Sequence, residues 1–293
     1  MTGSVQNASH VEPIIDRASE LHALPIVVFE AQQLIADSNT SAKDLAELLS
    51  KDPAIASRIL KMANSSFYGF QKKIGNLAQA IVVLGFQQLK NLTVTVGVID
   101  SFRTGSDDDY DYPSFWAHSV ATAIAADHVA RKVKVAKVEE AYMAGLFHDI
   151  GKLVLAQHLP SLYSEVRQAV TEGRHSLELE REILGRDHAD LGARFLSHWD
   201  LPDSLVAAVE NHHAACTAEG EVTLAEVVQL ADVIVNALGL SATASALPEV
   251  MERLGERLGY DDATLAEWIE GIATGLENAS EFFELVGYGP VTF

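Results

Sequence analysis

Residues 146–153 read LFHDIGKL. They set His148 and Asp149 side by side in an apolar run that otherwise has the composition of a buried helix, with Lys152 one helical turn further on. An unpaired carboxylate in such surroundings costs on the order of several kcal/mol. Its partners must therefore come from other parts of the chain, and the fold must be one that gathers them.

Working outward, nearly every segment has helical spacing, and alternating strand-like runs bounded by turn signals are scarce, so the chain reads as all-α. In TSAKDLAELLSKDP, Ser41 can cap a helix with Asp44 in its third position, while Leu45, Leu48 and Leu49 share a face. Asp52 and Pro53 restart a second helix, with Ile55, Ile59 and Met62 as its packing stripe. It runs out in NSSFYGF, and NLAQAIVVLGFQQLKNLTVTVGVI resumes the pattern, with Gly85 either breaking the helix or allowing close backbone approach. VVLG has a strand as its alternative reading.

The acidic interval RTGSDDDYDYP, from Arg103 to Pro113, interrupts the apolar periodicity and marks a boundary between two helical units. The expected organisation is a tail over 1–20, a helical bundle over 21–103 and a larger helical unit over 112–293. Helices are expected after the boundary over 114–132, 137–157, 160–172, 176–198, 202–214, 222–238, 246–256 and 262–277.

Composition narrows the chemistry. The chain has 293 residues, 21 basic against 41 acidic, and a formal net charge of -20, which repels a nucleic-acid backbone. A phosphorylated ligand would need a local positive centre, which a metal could supply. With one cysteine, Cys216, there is no disulfide framework and no thiolate cluster, so a metal would sit on His, Asp or Glu. The N-terminal residues lack a basic segment followed by an apolar core, and no stretch reaches about 18 uncharged apolar residues. The expectation is a cytoplasmic protein with no membrane partner.

The second unit carries His118, His148, Asp149, His188, His212, His213 and Asp232 on or at the ends of expected helices. His118 shares a face with Ala121 and Ala125, and His188 with Leu191, Gly192 and Phe195, so both point inward. Asp232 lies one turn after Val228 in an apolar helix and needs a partner. Each has an ordinary reading alone: a hydrogen-bonded core histidine, a histidine pair at a helix C-terminus, an aspartate capping a helix or pairing with Lys152. Taken together, one metal site would account for all of them at once, and nitrogen and oxygen donors suit iron, manganese, zinc or magnesium. Spacing leaves their convergence open.

HDIGK, preceded by an upstream histidine and followed by a distant aspartate, resembles the HD phosphohydrolase superfamily, whose all-helical core holds one or two divalent metals. The order His118, His148-Asp149, Lys152, His188, His212-His213, Asp232 is similar to the HD-GYP phosphodiesterase branch. LPIVVFEAQQL, DPAIASRILKMANSSFYG, IGNLAQAIVVLGFQQLKNL and FWAHSVATA resemble the HDOD family, the HD-related output domains of bacterial signalling, from about Leu21 to Asp232. The implied architecture is an N-terminal helical bundle packed against an HD-type core. Two departures matter: HHAACTAEGEV lacks the GYP tripeptide, and Ser114 stands where trinuclear members have a glutamate.

The resemblance implies a dinuclear centre, iron or manganese ahead of zinc or magnesium. Asp149 would bridge, His118, His148 and Asp232 would complete one position, and His188, His212 and His213 the other. As a hydrolase of a nucleotide or cyclic nucleotide, the chain would use Asp149 and Lys152 in catalysis, the lysine stabilising charge on phosphate oxygens. As a non-catalytic output module, it would act through signalling partners or ligand sensing. A purely structural helical protein is the third reading. Phe67 and Tyr68, in the NSSFYG turn, are either partly exposed interface anchors or a hydrophobic plug holding the turn on its own bundle.

Overall fold

Local signals written into the chain start most of its helices. The computed structural model of the protein describes residues 26–36, 40–70, 72–102, 110–133, 135, 137–171, 176–214, 220–240 and 248–285. The tail expected at 1–20, residues 103–109 of the acidic interval and Cys216 lie outside them. Ser41 and Asp44 form the expected capping box, and the Asp52 carboxylate accepts from the amides of Ala54 and Ile55. Each such cap contributes about 1 kcal/mol.

The first unit comprises α1 (Ile26–Ala36), α2 (Ala42–Leu49), α3 (Pro53–Ala63), α4 (Leu77–Leu84) and α5 (Phe86–Ser101). Gly85 breaks α4 from α5, and VVLG is helical up to that break rather than a strand. The second unit begins with α6 (Tyr112–Val133), α7 (Val138–Phe147), α8 (Ile150–His158), α9 (Pro160–Thr171), α10 (Ser176–Leu184) and α11 (His188–His198). It continues with α12 (Asp203–Asn211), α13 (Leu224–Ala237), α14 (Pro248–Leu258), α15 (Asp262–Asn278) and α16 (Ser280–Leu285). No strand occurs among the described residues.

Two of the expected helices are each broken into two. The helix expected over 137–157 stops at Phe147 and restarts at Ile150, and the one over 176–198 stops at Leu184 and restarts at His188. In both cases the break falls at residues that converge on the site described below.

Helix α5 is the axis of the first unit, with α1, α3 and α4 packed on it. Helix α6 has the same role in the second, against α7, α13, α15 and α16. One apolar core runs through both units, from Leu45 and Ile59 through Val96 to Val120 and Leu230. Burying side chains of this size stabilises by about 1.5–3 kcal/mol each.

Polar contacts fix the seam between the units. The Thr95 and Tyr142 hydroxyls lie 3.1 Å apart, and Gln87 Nε2 donates to the Glu139 carbonyl at 2.9 Å. The NSSFYG turn docks on the C-terminal helices: Ser66 Oγ donates to the Asn278 carbonyl, and the Phe67 ring meets Phe282 edge-on at 5.5 Å. Phe67 and Tyr68 are partly buried, whereas Phe70 remains exposed. Phe67 is thus packed as a plug, but against the C-terminal helices of the second unit rather than on its own bundle. Beside it, a cavity of about 300 Å³ opens between the units, lined among others by Tyr68, Leu84, Ile124, Asp127 and Tyr142.

Candidate metal centre

Six helices and their junctions deliver the seven histidines and aspartates to one place. His118 and Asp232 project from the middles of α6 and α13. His148 and Asp149 form the junction between α7 and α8, His188 is the first residue of α11, and His212 and His213 follow the end of α12.

The donors fall into two groups whose ligating atoms lie within 4.8 Å of one another: His118, His148 and Asp232 in one, Asp149, His188, His212 and His213 in the other. In the first, His118 Nε2 is 3.1 Å from Asp232 Oδ1 and 3.2 Å from His148 Nε2. In the second, His188 Nε2 is 3.1 Å from Asp149 Oδ1 and 3.0 Å from His213 Nε2. Asp149 lies between them, its Oδ2 at 3.4 Å from His148 Nε2 and its Oδ1 at 3.8 Å from His212 Nε2.

The rings are held from behind. Nδ1 of His118 donates to the Leu240 carbonyl, that of His148 to Gly145 and that of His212 to Val209, at 2.9, 2.8 and 2.6 Å. A carbonyl only accepts, so Nδ1 carries the proton and, in the neutral ring, Nε2 turns a bare lone pair inward. His212 Nε2 and Asp149 Oδ1 are buried with no hydrogen-bond partner. Between neutral rings, lone pairs facing one another at about 3 Å repel, and either a proton on one ring or a metal cation accepting both removes the conflict. The donor set fits a divalent metal, with nitrogen and oxygen ligands and no sulfur.

The breaks in the expected helices follow from this geometry. A Cβ on Gly151 would lie 2.0 Å from the His188 carbonyl oxygen, so only glycine lets the start of α8 meet the start of α11. Asp187 caps α11 through the Asp190 amide and is itself held by Arg181.

One buried group was not foreseen from the sequence. Glu180 of α10, 1% exposed, accepts through Oε2 from the His188 amide at 2.8 Å and from its Nδ1 at 2.7 Å. Glu180 and Leu184 are four residues apart and both buried, so the helical phase of α10 was a usable signal. Lys152 Nζ bonds Asp149 Oδ2 at 2.6 Å. With Lys152, Asp232 and His213 all partly exposed, these three mark the open side of the cluster.

The electrostatics divide the rings. Burial opposes charge on His188, but Glu180 and Asp149 outweigh it and raise its pKa to about 9. Burial likewise opposes charge on His148, and Asp149, then Asp232, raise it nonetheless. Burial and the neighbouring His188 push His213 down to about 3, and burial with His213 holds His212 well below its ordinary value. Asp149 stays well below the usual carboxylate range despite burial because His148 and Lys152 flank it. Asp232 is also opposed by burial, and His118 holds it at about 2.

The HDOD domain model matches residues 21–215 of this chain. The chain belongs to the HDOD domain family. Among curated relatives of this HDOD protein, an uncharacterized protein of Treponema pallidum is 26% identical over 204 residues, 68% of this chain and 39% of the relative. YuxH of Bacillus subtilis is 26% identical over 165 residues, 54% of this chain and again 39% of the relative. The chain thus spans about two fifths of the length of these relatives. A candidate phosphohydrolase from Shewanella amazonensis has the same fold, with a TM-score of 0.76 and 24% identity over 93% of this chain and 97% of that one. So does an HDOD domain protein from Geobacter sulfurreducens, with a TM-score of 0.72, 22% identity, and 94% and 98% coverage. A candidate signal transduction protein from Marinobacter aquaeolei gives 0.75 and 22%, over 97% of this chain and 66% of that one. No described helix is long and apolar enough to cross a membrane.

Proposed function

We propose that this chain is a bacterial signal-transduction output module of the HDOD type whose HD-like core holds a divalent metal centre, dinuclear, with iron or manganese ahead of zinc or magnesium. On this reading residues 21–103 form the HDOD bundle, residues 112–293 the HD-like unit and residues 1–20 a tail. The observation that carries the metal is the inward convergence of the Nε2 atoms, held from behind through Nδ1, upon two carboxylates. His118, His148 and Asp232 are one ligand set, His188, His212 and His213 the other, and Asp149 serves both. Output runs through signalling partners or a sensed nucleotide-type ligand, since the GYP tripeptide of the hydrolytic branch is lacking from HHAACTAEGEV. Metal analysis of protein purified without a nickel column should find about two divalent ions, and Asp149→Ala should lose most of them. Well under one equivalent, with no uptake on reconstitution, would sink the reading.

A second reading, a phosphohydrolase, is favoured by one observation: Lys152 sits beside Asp149 on the open side of the cluster. A bound divalent cation would supply Lewis acidity and the positive charge that a chain of net charge -20 lacks. The protein's own part would be to fix the histidines by their Nδ1 atoms and to offer the Lys152 ammonium to a phosphate oxygen. Lys152→Ala leaves every proposed ligand in place. If it abolishes signalling in cells while fold and metal persist, turnover is required and the non-catalytic reading fails; if only Asp149→Ala does so, the metal serves structure or sensing.

A further inference from the structure

The two donor groups share Asp149, but they do not share it equally. Its Oδ1 faces His188 and His212, at 3.1 and 3.8 Å, and makes no hydrogen bond. Its Oδ2 faces His148 and His118, at 3.4 and 3.8 Å, and is already bonded at 2.6 Å by the Lys152 ammonium. A cation approaching the His118 side therefore meets a carboxylate oxygen whose charge is largely answered, with a like charge beside it. A cation on the His188 side meets an oxygen with no ammonium beside it, faced only by the rings that would ligate with it.

The supports behind the rings differ in the same sense. His118, His148 and His212 lean on neutral main-chain carbonyls. His188 leans instead on a carboxylate, Glu180, which accepts from its Nδ1 at 2.7 Å and from its amide at 2.8 Å. A carboxylate behind a ligating imidazole fixes its tautomer and orientation and makes Nε2 a stronger donor, and removing such a support typically costs about 10–100-fold in metal affinity. Ring count points the same way, with three histidines in the His188 group against two in the other.

We infer that the two positions fill in order: the His188–His212–His213–Asp149 position binds first and tightly through the support of Glu180, and the His118–His148–Asp232 position binds second, weakened by Lys152. Glu180 acts through His188 and is a positioning residue. Lys152 sets the gap between the two affinities. This inference rests on the metal reading above and adds the order to it. A cell that varies its free divalent metal would then pass the protein from a singly to a doubly loaded form.

The test is an equilibrium titration of the chelator-treated full chain with Mn²⁺ alone at pH 8, the free ion read by electron paramagnetic resonance. Wild type should show two steps separated by at least about tenfold, the effect expected of one neighbouring like charge. Glu180→Gln, which keeps shape and loses charge, should weaken the first step about 10–100-fold and leave the second within about threefold. Lys152→Met should strengthen the second step and narrow the gap. His118→Ala should abolish the second step alone, and His213→Ala the first. Far-UV circular dichroism and the melting temperature of each metal-free variant separate loss of ligation from loss of fold; should His213→Ala fail to fold, Glu180→Gln and Lys152→Met still decide. Two steps of equal affinity in wild type, or a first step lost with His118→Ala, would overturn the order while leaving the metal reading intact. A Glu180→Gln variant that melts lower but keeps both wild-type affinities would reduce Glu180 to a purely structural group and overturn its part. Absence of any Mn²⁺ uptake by folded wild type would instead remove the metal reading beneath it.

Discussion

The His118 group and the His188 group differ in their backbone: in the first only His148 sits at a helix junction, whereas in the second all four donors do. His118 and Asp232 sit in the middles of α6 and α13, where helical periodicity fixes their direction. Asp149, His188, His212 and His213 all sit where a helix starts or stops, and there direction depends on what the helix end meets. A donor in a regular helix is aimed by its own segment. A donor at a junction is aimed by a distant one, so the second group should be the more easily broken by changes that touch no ligand.

The largest such effect is expected from Gly151→Ala. The added methyl would fall 2.0 Å from the His188 carbonyl oxygen, and neither backbone can yield without moving a junction. We expect destabilisation above about 3 kcal/mol and loss of binding in the His188 group before the His118 group. Chemical denaturation and metal titration of the same sample check both. Unchanged binding to the His188 group in a destabilised variant would break the comparison.

The pH dependence is the next in size. The metal-free protein holds His188 at about 9 against an ordinary 6.5, so its contribution to stability is complete below 6.5 and is lost as pH rises through 9. His148, also raised, acts in the same direction. His212 and His213 are depressed, His213 to about 3, and below 6.5 they cost stability because the unfolded rings take up protons that the folded ones refuse. Metal-free stability should therefore peak near 6.5 in this range. Metal affinity should behave oppositely above that value and climb to about 9 as His188 gives up its proton. Melting curves with and without Mn²⁺ from pH 6 to 9 would reveal the crossing; parallel curves would contradict it.

Smaller changes away from the cluster sharpen the contrast. Phe67→Ala removes the ring that meets Phe282 and should cost about 2–3 kcal/mol, somewhat below a fully buried ring. Metal stoichiometry should not change. Thr223→Ala removes the cap of α13, two turns before Asp232, and should cost about 1 kcal/mol with Mn²⁺ affinity unaltered. Loss of the His118 group in that variant would mean that α13 does not hold Asp232 by its own regularity.

What could be read from the chain divides along the same line. The all-α class, the caps at Ser41 and Asp52 and the inward faces of His118 and Asp232 follow from periodicity and local hydrogen bonds, and all are legible. The α10–α11 break was signalled too, by Gly185 with φ of 80° and by the Asp187 cap, although the apolar spacing runs through it. The α7–α8 break has no such signal. His148 keeps helical dihedrals and Asp149 departs from them without glycine or proline, in contact with Lys152, His148 and His188. Glu180 was obscured because ELERE offers three acidic residues, and only the phase against Leu184 singles out the inward one.

Helix α6 links the cluster to the seam between the units. It carries His118 within its N-terminal half, and Ile124 and Asp127 on the cavity wall further along. Nine residues separate His118 from Asp127, about 14 Å of a rod that tilts more readily than it bends. A tilt of about 5° pivoting at the seam would carry His118 by about 1 Å, enough to spoil a coordination geometry. The helix thus joins the surface where the two units meet to one of the clustered histidines, so a change that shifts that surface should be felt at His118.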